Sequence, residues 1–535
     1  MNTIKKICSI SAAAVMLFGC TAQKNSNNSS KPTVSYESTL TSADSYTPET
    51  APLPVLSIQT KSTDPNVMDF VNEPIAEHVS ELMKMWVEPP FDPPAPYYED
   101  CTITLKGSDG NELMAASDGQ VKVRGNWTTT YPKKPLKIKF TEKQNLLGLN
   151  NGAEFKNWLL LAEYKDGSML RNKAALYASR QILGADGLYA ADAKLVQVEI
   201  NGEYRGLYLL TESQQVAEDR VNVTKPEKDY TGTDIGYFLE FDGYFTNEDE
   251  LHGFSLDYAD NAPLTPFDGN GGSGRTIKCI PKASEYMIPV VGITIKSDVY
   301  SQEQHDFIAK YINNVYRIMY EAGYNHKAFV FDENNDSISE SSELTPQQAV
   351  EKVVDLDSLV DMYIISELAC DADVAWSSFY MDIDFSPEHT KKLTFEAPWD
   401  FDSSMGNRPY SEDGQGFHAA NIIPDPSMGM DSINPWFALL AYEDWYQDMI
   451  KKKWTKAYDN GVFARVCQMV KADSDAFTGD FNKNYDTWNN IKDNEIIASE
   501  LSEGSKKCRD EKECADYLYD WLNKRIAFLN SQWHK

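Results

Sequence analysis

Residues 367–407 read ELACDADVAWSSFYMDIDFSPEHTKKLTFEAPWDFDSSMGN. Two segments within this stretch alternate apolar and polar residues, Ser378 to Ile383 and Leu393 to Ala397, which predicts a β-hairpin. Asp371 and Asp373 open it, and Asp400 and Asp402 close it inside a PWDFD turn. A helical period over residues 347–369 runs directly into it, so helix and antiparallel strand meet here and the fold reads as α+β. Four carboxylates at the ends of one hairpin repel unless a cation or a proton is shared among them. The stretch is therefore either a metal site or a very polar structural corner.

Working outward, residues 54–145 read as strands. PVLSIQT, CTITLKG, QVKVRGN and KPLKIKF keep the two-residue period, with a helix-like stretch Pro74 to Trp86 between the first two. SMLRNKAALYASRQIL (168–183) predicts a helix capped by Ser168. Leu195 to Ile200 and Arg205 to Thr211 flank Asn201-Gly202, a strong short hairpin signal. DIGYFLEFD (234–242) is a further strand, residues 301–323 and 347–369 are helical, and the chain beyond Pro435 is helical to its end. The expected architecture is a mixed α+β lobe followed by a mainly helical one.

The chain has 535 residues, 42% of them hydrophobic and 12% aromatic, ample for a large core. Its N-terminus carries Lys5 and Lys6, an apolar run from Ile7 to Phe18, and then Leu17-Phe18-Gly19-Cys20, which resembles a bacterial lipobox. The expectation is a lipoprotein signal peptide over 1–19, lipidation at Cys20 and an extracytoplasmic protein anchored by lipid to the cell membrane. Residues 20–53, rich in Ser, Thr, Asn and Pro, read as a disordered tether. The globular part divides as 54–430 and a helical region 431–535. The net charge of −31 becomes −33 without Lys5 and Lys6, which argues against nucleic acid or anionic lipid surfaces as general partners. Six cysteines follow Cys20 at wide spacing: Cys101, Cys279, Cys370, Cys467, Cys508 and Cys514. They form no zinc pattern; Cys508 and Cys514 are a candidate local pair.

GNGGSG (269–274) matches G-x-G-x-x-G, but no strand precedes it and no helix follows, so a surface loop is the better reading. VKVRGNWTTTYPKKPLKIKF (121–140) gathers Lys122, Arg124, Lys133, Lys134, Lys137 and Lys139 in an acidic chain. Lys137 and Lys139 share one strand face; the segment is either a phosphate-binding strand or a solvated basic edge. The 11 Trp and 29 Tyr also allow a calcium-dependent carbohydrate-acting protein.

RGNWTTTYPKKPLKIKF resembles the RGNST-YPKK-IK signature of the spore-coat CotH kinase-like family. The resemblance continues through NWLLLAEYKDGSMLRNKAA (157–175), VEINGEYRGLYLLTES (198–213), GYFLEFD (236–242), DLDSLVDMYIISEL (355–368) and PWDFDSSMGN (398–407). It implies an atypical protein-kinase-like two-lobed core that uses ATP and Mg²⁺, with Mn²⁺ or Ca²⁺ as alternatives, to phosphorylate Ser/Thr of surface proteins. Carried over, Asp373 is the expected catalytic residue. Asp400 and Asp402 are expected metal ligands, with Ser378 beside them. Arg124, Lys134 and Lys139 are expected to line the phosphates. Glu212, or alternatively Glu240, is expected to pair with the strand lysine, and Arg171 and Asn172 match an LRN motif. The sequence departs from the family at Trp127, expected to alter nucleotide fit, and at Ser378, where some members carry Asn. The alternative is a catalytically silent assembly or adhesion module at the cell surface.

Overall fold

Asn201 and Gly202 adopt φ of +53° and +78°, the backbone that a two-residue hairpin turn demands and that Asn and Gly tolerate best. They join the sixth and seventh strands of a closed barrel in a computed structural model. The structure describes residues 46–84, 92–258, 262–269, 276–277, 292–387, 389–425 and 430–535. The expected signal peptide, Cys20, Cys279 and the glycine-rich loop beyond Gly269 lie outside the described residues.

The barrel strands are β1 (Val55–Thr60), β2 (Glu99–Lys106), β3 (Glu112–Val123), β4 (Leu136–Gln144), β5 (Phe155–Leu161), β6 (Ala193–Ile200) and β7 (Glu203–Glu212), in the order β1-β2-β3-β4-β5-β7-β6. Closure comes from β1, which pairs antiparallel with β2 and parallel with β6, Val55 opposite Gln197. The Asn201 carboxamide oxygen accepts the Thr60 N–H at 2.9 Å and ties the hairpin to the end of β1. Alternation puts Ile58, Ile103, Val121, Ile138, Trp158, Val198 and Leu210 inside, all at most 1% exposed. Helix α1 (Glu77–Lys84) lies within the expected Pro74–Trp86 stretch, whose last two residues fall outside the described ones, and packs beneath the 127–130 turn, while α2 (Arg171–Ile182) leaves β5 for the rest of the molecule.

A second sheet follows. Its strands are β8 (Gly236–Asp242), β9 (Gly253–Ser255) and β10 (Gly292–Ile295). After helix α3 (Gln302–Asn325) and the small hairpin β11 (Phe329–Phe331) and β12 (Ile338–Glu340), it is completed by β13 (Phe379–Asp384) and β14 (Thr394–Phe395). Its order is β14-β13-β8-β10-β9. The predicted acidic hairpin is thus present, with Met381 opposite Phe395. The helix expected over 347–369 is two helices, α4 (Pro346–Glu351) and α5 (Leu356–Ala369). The break falls where Asp355 caps α5, its carboxylate accepting the Ser358 N–H at 3.2 Å. Helix α5 is buried at every position except Asp357, its polar Ser358, Asp361, Ser366 and Glu367 included.

Helices α6 (Asp444–Asp459), α7 (Val462–Ala476), α8 (Thr478–Trp488), α9 (Glu503–Lys507) and α10 (Glu511–Trp533) complete the chain. The apolar faces of α6, α7, α8 and α10 join α2, α5 and the second sheet in one continuous core, distinct from the barrel interior. The stretch 46–53, assigned to the tether by composition, is instead seated on these helices: the Tyr46 hydroxyl donates to Asp473 at 3.0 Å and the Leu53 N–H to Asp480 at 3.3 Å. The mixed α+β class is as expected, whereas the closed seven-stranded barrel is a feature the strand periods did not reveal. Among the described residues no helix is long and apolar enough to cross a membrane.

Candidate metal and phosphate site

Helix α5 ends at Cys370, whose left-handed φ of +48° reverses the chain. The Asp371 carboxylate then accepts the Asp373 N–H at 3.0 Å, a local turn that aspartate favours. From the far side of the β13–β14 hairpin the PWDFD turn returns, with Asp400 at φ +69°. The result brings Asp373, Asp400 and Asp402 together: one carboxylate oxygen from each lies within 4.8 Å of the others.

The turn is held in place by the LRN segment. Asn172 accepts the Phe401 N–H at 2.7 Å and donates to Glu163 at 3.0 Å. Arg171 pairs with the buried Asp166 and donates to the Met405 carbonyl at 3.4 Å. Asn407 donates to the carbonyls of Asp402 and Lys165, at 2.7 and 3.2 Å. Arg171 and Asn172 therefore position the acidic turn. Behind α5, Glu367 and Arg525 form a fully buried pair at 2.6 Å that locks the helix end to α10.

The electrostatics are severe. Burial, and then the charges of Asp402 and Asp373, push the Asp400 carboxyl up to about 8, against the opposing pull of Lys165 and Arg124. Burial and the neighbouring Asp373 likewise raise Asp371 well above the usual carboxylate range. Three hard oxygen donors this close, two of them in one turn, are a donor set suited to Mg²⁺, Mn²⁺ or Ca²⁺.

A cation from the protein itself stands on one edge. The Lys165 ammonium lies 3.2 Å from Asp402 Oδ1 and 3.7 Å from Glu500 Oε2, and also donates to Ser403. Burial would lower its pKa, but the Asp402 and Glu500 carboxylates outweigh burial and hold it above the ordinary value. Neither Lys165 nor Glu500 was singled out by the sequence. A lysine directly after the apolar run NWLLLAEY was the available signal, since lysine is rarely buried unless paired.

The other predicted residues divide. Arg124, at the end of β3, lies close enough to Asp400 to lower its pKa. Lys134 is buried, and its ammonium donates to the Thr129 carbonyl within its own loop. Lys139 is exposed on the outer face of β4, beside the half-buried Lys137. Burial, reinforced by Lys122, Arg124, Lys139 and Lys296, lowers Lys137, so a basic strip runs outside the barrel. Glu212 does not pair with a strand lysine. It is consumed inside the fold by Arg220, 3.1 Å away with both side chains fully buried, and by the Asp192 N–H at 2.9 Å. The alternative, Glu240, pairs with Lys296 at 3.0 Å, just past β10, and accepts the Ser378 N–H at 2.9 Å. Ser378 itself has φ +59° between the Asp373 turn and β13. Trp127 turns toward the C-terminal region: its indole donates to Glu500 at 3.3 Å and its ring packs against the cluster of Tyr131, Tyr164, Ile497 and Leu501, where the C-terminal segment docks.

The sequence model of the family described as CotH kinase protein matches residues 121–529, more than half of the chain, and so spans the acidic trio, Lys165 and the helical region together. No curated protein matches the chain.

Proposed function

The chain belongs to the CotH kinase family, and we propose that it is a metal-dependent phosphotransferase moving the γ-phosphoryl group of ATP to Ser or Thr hydroxyls of surface proteins. The single observation that carries this reading is the convergence of Asp373, Asp400 and Asp402 beside the cationic Lys165 and Arg124. Phosphoryl transfer asks of a protein chiefly positioning and charge compensation: oxygen ligands for a divalent ion, cations at the phosphates and a carboxylate at the nucleophile. Asp400 and Asp402 would hold Mg²⁺ or Mn²⁺, which when bound neutralises charge on the phosphate oxygens. Asp373, carried on the turn after α5, orients the acceptor hydroxyl and takes its proton. Arg124 faces the phosphates, with the strip of Lys137 and Lys139 as the outer electrostatic approach. The two-lobed kinase-like organisation corresponds in this reading to the barrel and the α+β region behind the trio. Lipid anchorage through Cys20, outside the cytoplasm, would put the site among surface proteins.

The test is label transfer from ATP with Mg²⁺ or Mn²⁺ to the protein itself or to surface extracts, using residues 46–535. Wild type should transfer, and Asp373→Ala and Asp400→Ala should each lose at least about a hundredfold. Equal label in all three, or none in any, removes the reading. One observation favours a second reading, a silent assembly or adhesion module: the Lys165 ammonium already neutralises part of the trio. A nucleotide- and metal-dependent rise in Tm without transfer would support that alternative.

A further inference from the structure

Helix α9 ends at Cys508, and α10 takes Cys514 into its first turn. The two thiols border one shared cavity, and the Cys508 thiol donates to the Gly504 carbonyl at 3.5 Å. Cys514 is 5% exposed and Cys508 half-buried. Space at the rear exists because residue 167 is glycine: a Cβ there would lie 2.6 Å from the Cys514 sulfur. The pair lines a small interior cavity together with Arg171, Asn407 and Ser505. These neighbours belong to the framework of the acidic turn. The Ser505 hydroxyl donates to Asn407 at 2.9 Å, the Ser502 N–H to the Asn407 carbonyl at 2.7 Å, and Asn407 to the Asp402 carbonyl at 2.7 Å.

We propose that Cys508 and Cys514 form a reversible redox site whose disulfide latches the α9–α10 corner against the acidic turn. The oxidant is a two-electron thiol oxidant of the peroxide class. The more accessible Cys508, as thiolate, attacks one peroxide oxygen, breaks the O–O bond and becomes a sulfenic acid, releasing the first water. The Cys514 sulfur then attacks the sulfenic sulfur and expels the second water. Two thiols lose two protons and two electrons, one S–S bond forms, and the peroxide is reduced to two waters. The neighbouring Cys514 side chain lowers the Cys508 thiol against the opposing effect of burial, with the charge of Arg171 adding to it, and so favours the thiolate that this order requires. A loop this short gains modest stability on cross-linking, and the gain falls on the corner that holds Asn407 and, through it, Asp402. The site is independent of whether the trio transfers phosphate.

The experiment treats the folded chain with hydrogen peroxide, blocks remaining thiols with iodoacetamide and maps peptides by mass spectrometry. The expected result is a Cys508–Cys514 cross-link cleaved by dithiothreitol, with Cys101, Cys370 and Cys467 staying reduced. Oxidised wild type should gain about 1–4 °C in Tm over its reduced form, and Cys508→Ser should show no such gain. Cys508 recovered as sulfinic acid with Cys514 still a thiol would overturn the proposal. So would a cross-link that leaves Tm unchanged, since the latch would then fasten nothing.

Discussion

The Lys165 ammonium stands 3.2 Å from the Asp402 carboxylate, with both side chains at most a tenth exposed. One charge of the acidic trio is thus compensated by the protein itself, and the Asp400 charge is left for a cation or a proton, consistent with its raised pKa. Removing one partner of a buried ion pair leaves the other unpaired in low dielectric, which costs far more than the pair contributes. Lys165→Met should therefore destabilise the protein by about 3 kcal/mol, checked by urea unfolding. Part of that loss should return when millimolar Mg²⁺ is added, because a divalent ion can take over the neutralisation of Asp402.

Asn172 is the hinge pin of the PWDFD turn, bonding the Phe401 N–H and Glu163 at once. Asn172→Ala leaves a buried N–H and a buried carboxylate without this partner, at a cost of about 1–3 kcal/mol. In a transfer assay the variant should lose kcat while its nucleotide-dependent Tm shift persists, since the residue positions the metal turn without touching nucleotide.

Trp127 and Glu500 make the reach of the helical region into the site testable. Trp127→Phe keeps the ring but loses the 3.3 Å hydrogen bond to Glu500. Its stability cost should be under about 1.5 kcal/mol, and ATP affinity by calorimetry should be unchanged. Glu500→Ala also strips carboxylate from Tyr131, at 2.9 Å, and from Lys165, and should cost at least twice as much.

A second buried carboxyl pair gives a pH signature. Glu396 and Asp382 are neighbours in the β13–β14 hairpin, and burial raises Glu396 from its ordinary 4.5 to about 7. A carboxyl raised in the folded state binds more protons folded than unfolded. Its stabilisation is complete below about pH 4.5 and is lost as pH climbs through 7. Stability should therefore fall between pH 5 and 8 by on the order of 1–3 kcal/mol through this pair. Glu396→Gln should reduce that slope without abolishing it, because other buried carboxyls such as Asp400 are raised in the same window, read as the urea midpoint at both pH values.

What the sequence disclosed was local. The Asn201-Gly202 turn, the alternation from Ser378 to Ile383 and the two acidic ends of the hairpin are written within a few residues, and the structure contains each. What stayed hidden is long-range pairing. Parallel contact of β1 with β6 closes the barrel across about 140 residues, which no two-residue period can signal. The family resemblance offers either Glu212 or Glu240 to a strand lysine, but the partner of Glu212, Arg220, emerges only when the loop after β7 folds back over Phe155, 3.5 Å from the guanidinium. Lys165 follows the same pattern: its place after an apolar run hinted at burial, but its partners Asp402 and Glu500 lie in two other parts of the chain, so its role carried no local mark.

The most direct test of the central claim is Mn²⁺ titration followed by electron paramagnetic resonance, with wild type, Asp400→Asn and Asp402→Asn compared in the presence of a non-hydrolysable ATP analogue. Wild type should bind the ion at the trio, and each variant should bind it at least about tenfold more weakly, a loss of roughly 1.4 kcal/mol or more. Undiminished Mn²⁺ affinity in both variants would contradict the assignment of Asp373, Asp400 and Asp402 as the metal and phosphate site.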